Sequence, residues 1–342
     1  MRIGIVGATG LVGEKVIRVL EERNFPVKKL CLYSSEKSKG TKIKFHSDEI
    51  EVATLSKEVF KNLDIVFFAL EENLAKEWIP IAQKECVVID KSSAYRLDKN
   101  VPLIVPEVNS EKIKEHKNLI ANPNCSTIPL VVVLAPLQKA FGLKRVIVSS
   151  YQSVSGAGKN AINEFLYETE VLACGEEIKK ETDSVFSAPI AGNIIPQIGI
   201  FNKQGYASEE QKIIDETRKI LELPDLSISA TCVRVPVKIG HSEAVNIELE
   251  KEVDIDKVVK VLKAAKGIKV FHGCDPSNRD APVLPMPIDA EEKDEVFVGR
   301  IRKDMAFENG VALWIVTDNL RKGAATNAVQ IAEEILKIKG EK

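Results

Sequence analysis

A doubly wound α/β domain built on a parallel sheet, joined to an α+β domain whose sheet is mainly antiparallel, is the architecture this sequence predicts. Three observations carry it. A glycine turn separates the first strand pattern from the first helix pattern, strands and helices alternate up to about Cys125, and apolar–polar alternation takes over beyond it.

From Arg2 the order is strand, turn, helix, strand: "RIGIVG", then "ATGLVGEKVIRVLEERN" with apolar positions at helical spacing, then "KKLCLYSS". Short apolar strands follow at "DIVFFAL", "CVVID" and "NLIAN", separated by helical stretches such as "LAKEWIPIAQK". That rhythm implies parallel strands with helices on both faces. Beyond Cys125 a helix over Ile128 to Phe141 leads into "RVIVSSYQSV", and "LSISATCVRV", "EAVNIEL", "EVFVGRIR" and "ALWIVTD" alternate as strands with one wet face. The last amphipathic helix, "KGAATNAVQIAEEILK", has its natural dock on the first domain. The expected division is therefore 1–127 with 319–342, and 128–318.

Composition narrows the function classes. With 342 residues and a net charge of −2 spread along the length, the chain carries no basic footprint for nucleic acid or an anionic membrane. The longest apolar run, "IPLVVVLAPL", is too short to span a bilayer and holds two prolines. The start, "MRIGIVGATG", reads as strand and turn rather than as a signal peptide. The six cysteines, Cys31, Cys86, Cys125, Cys174, Cys232 and Cys274, show neither CxxC pairing nor metal-ligand spacing. Reduced thiols in a cytoplasmic protein without a metal site are expected.

Gly7, Gly10 and Gly13 form G-x-x-G-x-x-G where the first strand hands over to a helix, the arrangement that holds a pyrophosphate on backbone N–H groups. The alternative is a tight turn serving only packing. In this strand–turn–helix context the motif marks a Rossmann-type dinucleotide site. An NAD site commonly places an acid at the end of the second strand, whereas the chain there reads "LYSSEKSKGTK". Ser35, Lys37 and Ser38 suit a 2′-phosphate, which favours NADP(H), with Glu36 against it and a solvated basic loop as the other reading.

In "ANPNCSTIP" a lone thiol, Cys125, sits just before a helix whose first turn holds Pro129. A helix N-terminus favours the thiolate, the nucleophile of acyl chemistry, and Asn124 with nearby N–H groups could support an oxyanion. The other five cysteines read as inert packing. Of the histidines, His46 and His116 lie in charged surface-like runs, and His272 is the fourth. His241, in "RVPVKIGHSEAV", follows Arg234 by seven residues, which on a straight strand puts them on opposite faces. Pro236 and Gly240 can bend the chain so that the two converge.

Together, "GATGLVG", "SSAYR", "VPEVN", "NPNCST", "YQSVSGAGK", "CVRVPV" with "GHSE", "FVGRIRKD" and "DNLRKGAATNAVQIAE" resemble the bacterial aspartate-semialdehyde dehydrogenase family over essentially the full length. The resemblance implies NADPH-dependent reduction of L-aspartyl 4-phosphate to L-aspartate 4-semialdehyde with release of phosphate, a step toward lysine, threonine and methionine. It implies that Cys125 forms a thioester that hydride converts to a thiohemiacetal, with His241 as general acid and base and Gln152 orienting the acyl group. It assigns Arg234 to the substrate α-carboxylate, Glu209 to its ammonium, and Lys212 with Arg96 to the phosphate. For the cofactor it adds Thr9, Leu11, Val12, Ser155, Gly156 and Asn319, and it implies a homodimer through the second domain. Read without it, "SEEQ" from Ser208 is a capping box and Glu209–Lys212 a solvated ion pair. Lys91 departs from the small polar residue the family usually has there.

Two enzymatic alternatives and one non-enzymatic one fit these motifs less well: an N-acetyl-glutamyl-phosphate reductase, whose cysteine motif differs; a cysteine hydrolase, which has no use for the nucleotide turn; and a non-catalytic NADP-binding sensor, which has no need of Cys125, Gln152, Arg234 and His241 together.

Overall fold

The first strand pattern becomes β1 (Arg2–Val6), whose Ile3 and Ile5 are fully buried, and the glycine turn delivers the chain into α1 (Leu11–Glu22). The structure, a computed structural model, describes residues 1–179, 182–252, 254–275 and 278–340; the side chains of 274, 275, 278–282 and 339 lie outside that description, including the thiol of Cys274. The described chain divides into two units, Met1–Asn124 with Ala324–Lys342, and Cys125–Gly323.

In the first unit β1 is followed by β2 (Lys29–Ser34), β3 (Lys42–Phe45), β4 (Asp48–Thr54), β5 (Ile65–Phe68), β6 (Val87–Asp90) and β7 (Leu119–Ala121), with α2 (Glu72–Ala82) and the one-turn α3 (Pro106–Asn109) between them. The strands form one sheet in the order β3-β4-β2-β1-β5-β6-β7. All its pairings are parallel except the β3–β4 hairpin, as expected where helices connect the strands. The apolar stripe of α1 and the helix Thr326–Lys339 close over the sheet, and Val16, Leu20, Val329 and Ile335 share its core. Burial of such side chains is worth about 1.5–3 kcal/mol each.

The second unit opens with α4 (Thr127–Phe141), so Pro129 lies in its first turn. Its sheet contains β8 (Leu143–Gln152), β9 (Ser227–Arg234), β10 (His241–Leu249), β11 (Ile268–Phe271), β14 (Val296–Lys303) and β15 (Gly310–Thr317), and a two-stranded ribbon of β12 (Cys274–Asp275) and β13 (Asn278–Pro282) stands apart. Helices α5 (Lys159–Ala173), α6 (Ser208–Leu221), α7 (Ile255–Ala264) and the one-turn α8 (Pro287–Ala290) complete it. The order is β11-β14-β15-β10-β8-β9. The three inner pairings are antiparallel, and the outer pairs β8–β9 and β11–β14 are parallel. Parallel neighbours need a crossover, which α5 and α6 supply between β8 and β9. Helix α4, buried on nearly every side, packs against β8, β10, β14 and β15, so one sheet face is dry.

Candidate active site

In the first unit the turn after β1 owes its shape to two glycines. Gly7 has φ +84°, and a Cβ there would stand 2.5 Å from the Ala69 carbonyl oxygen. At Gly13 a Cβ would lie 2.2 Å from the Gly7 oxygen, so helix and turn meet only because the side chain is a hydrogen. Gly10 is the N-cap of α1, with Leu11 and Val12 in its first turn. Thr9 Oγ1 lies 2.9 Å from Ser34 Oγ and 3.3 Å from Ser38 Oγ, tying the turn to the end of β2. Ser35 N-caps the short helix that carries Lys37 and Ser38. The acid of that segment, Glu36, is 71% exposed and lies 4.0 Å from Lys39. The cradle and its cluster of hydroxyls therefore fit a phosphorylated dinucleotide. Ser34 escaped the sequence reading because only folding brings it to Thr9.

Arg96 also belongs to the first unit. It is buried, with Nε donating to the Asn122 carbonyl at 3.0 Å and Nη2 to the Lys91 carbonyl at 2.6 Å. Asn124 is buried and ends the first stretch of this unit.

The thiol and its partners fall within the second unit. Cys125 Sγ lies 3.4 Å from His241 Nε2. Strand register explains how the partners meet. β8 lies between β10 and β9; Ser242 faces Tyr151, and Gln152 faces Arg234. His241, Gln152 and Arg234 thus form one row across three strands, with Glu243, Ser150 and Cys232 in the next row on the same dry face. The expected bend within a single strand is not what unites Arg234 and His241. They belong to different strands, brought to one face by pairing order.

Each side chain of the row is held. His241 is 1% exposed, and its Nδ1 accepts the Ser153 backbone N–H at 3.1 Å, with Ser153 Oγ also at 3.1 Å. Burial, and then the Arg234 guanidinium, push its pKa down to about 3, opposed by Glu209. Arg234 is lowered as well, mainly by burial; its Nη1 donates to the Ser153 carbonyl at 2.7 Å. Gln152 Nε2 makes long contacts to Ser150 Oγ at 3.3 Å and Glu209 Oε1 at 3.4 Å. Glu209 Oε2 lies 3.3 Å from Lys212 Nζ, so this pair is not a solvated one: Glu209 is only 9% exposed in its side chain.

The box at the start of α6 is shifted by one residue from the expected one. Ala207 is the N-cap, and its N–H donates to the Glu210 carboxylate at 2.7 Å; Ser208 is already helical. Ala207 lacks the hydroxyl of the usual motif, which is why the sequence pointed to Ser208.

Ser155 and Asn319 are buried in the second unit. Asn319 Oδ1 accepts from the Gly240 N–H at 2.9 Å and from the hydroxyls of Ser155 and Ser153 at 3.1 and 3.2 Å, and its Nδ2 donates to Ser155 Oγ at 3.0 Å. Gly156 lies against Arg234 and His241: a Cβ there would be 2.8 Å from Arg234 Nη1 and 3.3 Å from His241 Nε2. Sequence reasoning missed Ser153, whose backbone does the holding, and Glu243, whose carboxyl is buried without a protein partner and pushed well above the usual range by desolvation.

Of the other cysteines, Cys86 and Cys232 are buried, with burial raising both thiols, and Cys31 is half-buried. Cys174 is exposed at the end of α5, so the packing expected of it does not hold. Among the described residues no cluster of metal ligands occurs, and no helix is long and apolar enough to cross a membrane.

Residues 2–116 match the semialdehyde dehydrogenase NAD-binding domain family, and residues 134–322 the semialdehyde dehydrogenase dimerisation domain family. The aspartate-semialdehyde dehydrogenase of Aquifex aeolicus is 51% identical over 98% of both chains, and that of Bacillus subtilis 46% identical over 99% of this chain and 98% of its own. The crystal structure of aspartate semialdehyde dehydrogenase II from Vibrio cholerae, complexed with ASA, superposes with a TM-score of 0.93 at 44% identity, covering 98% of both chains. The enzyme from Candida albicans, solved with NADP, is similar at a TM-score of 0.74 and 26% identity over 99% of both chains.

Proposed function

This chain belongs to the aspartate-semialdehyde dehydrogenase family, and from that premise we propose how its residues divide the reductive dephosphorylation of L-aspartyl 4-phosphate to L-aspartate 4-semialdehyde. The observation that carries the reading is the Cys125–His241 contact of 3.4 Å in the same buried row as Arg234 and Gln152. A thiol alone is ordinary. A thiol beside imidazole, guanidinium and a carboxylate with its lysine matches an acyl phosphate bearing an amino acid.

Cys125 attacks the acyl carbon and becomes acylated as phosphate departs. Gln152 and Asn124 orient and polarise the acyl oxygen. Arg234 holds the α-carboxylate, Glu209 the ammonium, and Lys212 with Arg96 the phosphate; a planar fork suits carboxylate better than a point charge does. His241 stands at the sulfur and governs the proton there. Bound NADPH supplies the hydride. Gly7, Gly10, Leu11 and Val12 form its pyrophosphate cradle, Thr9, Ser35, Lys37 and Ser38 suit the 2′-phosphate, and Ser155, Gly156 and Asn319 are the further residues assigned to it.

The second unit, like the dimerisation domain it matches, presents exposed apolar side chains, including Ile200 at 81% and Phe201 at 49%, and a homodimer through it is our reading. Residence in the cytoplasm follows from the biosynthetic role. The test is phosphate-dependent oxidation of aspartate semialdehyde, followed at the nicotinamide absorbance with each dinucleotide. Turnover with NADP supports the proposal, and its absence with both dinucleotides defeats it.

A further inference from the structure

We infer that the Ser153 peptide fixes His241 as the neutral Nε2–H tautomer, so that the imidazole serves the Cys125 sulfur as a hydrogen-bond donor. Arg234, rather than an imidazolium, is then the cation that offsets the negative charge of that sulfur. This deepens the proposed function, resting on it only in taking Cys125 as the reacting thiol.

The argument begins at Nδ1. A backbone N–H can only donate, and that of Ser153 is directed at Nδ1 from 3.1 Å, so Nδ1 must present its lone pair. The peptide cannot easily turn away. Gln152 on one side is the last residue of β8, and on the other the N–H groups of Val154 and Ser155 are bonded to the carbonyls of Val237 and Lys238. The Ser153 carbonyl is itself taken by Arg234 Nη1 at 2.7 Å. Ser153 Oγ stands at Nδ1 too, and its proton has an acceptor in Asn319 Oδ1 at 3.2 Å. With Nδ1 unprotonated, the one proton of a neutral ring sits on Nε2, which faces Cys125 Sγ at 3.4 Å.

A second ring proton is opposed by charge as well as geometry. The ionisable groups around the imidazole are Cys125 before α4, Arg234 on β9 and Glu209 on α6, with Glu243 two residues along its own strand. Burial and then Arg234 oppose an imidazolium in this dry row more strongly than Glu209 and the Gly240 backbone favour one. One peptide group thus places both residues: its N–H orients the imidazole and its C=O the guanidinium.

For the chemistry, the Nε2 proton stays on the ring as the sulfur is acylated. When the S–C bond forms and the acyl C–O bond breaks, the electron pair leaves with phosphate, which takes its proton from water.

The test uses the full-length enzyme labelled with ¹⁵N-histidine. Four histidines give a short spectrum, and the His241 signals are those lost in His241→Gln. The expected result is the neutral Nε2–H pattern, unmoved from about pH 5 to 9, because the ring's ordinary value of ~6.5 would otherwise be crossed in that range. A protonation step within it, or an Nδ1–H pattern, overturns the proposal. The second readout is the rate of Cys125 alkylation by iodoacetamide against pH, measured on its peptide by mass spectrometry. In Arg234→Gln the midpoint should rise by about one unit or more, and in His241→Gln by less. The opposite order means that an imidazolium is the counter-ion. The spectrum needs only His241→Gln to fold, for assignment, and turnover of Cys125→Ala tests the identity of the nucleophile separately.

Discussion

Arg234→Lys isolates what a planar fork contributes when charge is kept. In the structure Arg234 is 6% exposed and donates Nη1 to the Ser153 carbonyl at 2.7 Å, which leaves Nη2 and Nε for a substrate carboxylate. A lysine ammonium cannot occupy both places. Either it takes the Ser153 carbonyl and leaves the carboxylate unmatched, or it meets the carboxylate at one point and strands a buried carbonyl. In both cases one charge-assisted hydrogen bond is lost, worth about 1.5–3 kcal/mol. At about 1.4 kcal/mol per tenfold, kcat/KM for aspartate semialdehyde should fall roughly 10- to 100-fold. The loss should appear mainly in KM, since the fork meets a part of the substrate distant from the reacting bond. Steady-state kinetics of the phosphate-dependent oxidation, varying aspartate semialdehyde at saturating phosphate and dinucleotide, gives both constants. An unchanged KM would refute the assignment of Arg234 to the carboxylate.

Cys125→Ala should abolish turnover while NADPH affinity, read by fluorescence titration, changes less than about threefold; appreciable activity would remove the thioester from the mechanism. Gly13→Ala places a methyl 2.2 Å from the Gly7 oxygen, while at Gly10 the same contact is 3.3 Å. Overpacking of about 1–3 kcal/mol should therefore lower the melting temperature and weaken dinucleotide binding more in Gly13→Ala than in Gly10→Ala, and equal effects would contradict the described turn. Glu243 is held protonated by burial, whereas in the unfolded chain it ionises above its ordinary value. Its contribution to stability is complete below that ordinary value and declines as pH rises toward the raised folded value. Glu243→Gln should thus gain in melting temperature over wild type as pH goes from 5 to 8, by at least about 2 °C at the upper end. The same difference at both pH values would mean that the carboxyl is not neutral in the fold.

The elements of the fold could be read from local pattern because both periodicities are strong: "CVVID" and "DIVFFAL" are apolar throughout and become central parallel strands. The glycine turn was legible for the same reason, its chemistry lying within one short segment. The parallel pairing of β9 with β8 and of β11 with β14 was not, since pairing order is decided by distant crossovers. The same limit explains Arg234 and His241. Their separation in sequence suggested a bend, but the intervening strand is β8, contributed from some eighty residues earlier. The role of Ser153 had no sequence signal at all, because a peptide N–H belongs to every residue but proline. Glu243 was more accessible. It shares the alternation of Val245 and Ile247 in "EAVNIEL", which places an acid among the inward-facing positions.

The split of the first unit sets an order on synthesis. Residues 125–323 leave the ribosome before 324–340 do, yet Ala328, Val329, Ile331 and Ile335 from that closing segment lie inside the core started by β1. The inner unit can fold while the outer one still lacks a wall. Until the closing helix emerges, the nascent sheet stays partly uncovered, and a ribosome stalled or terminated before residue 324 yields a dinucleotide fold with an open, apolar flank.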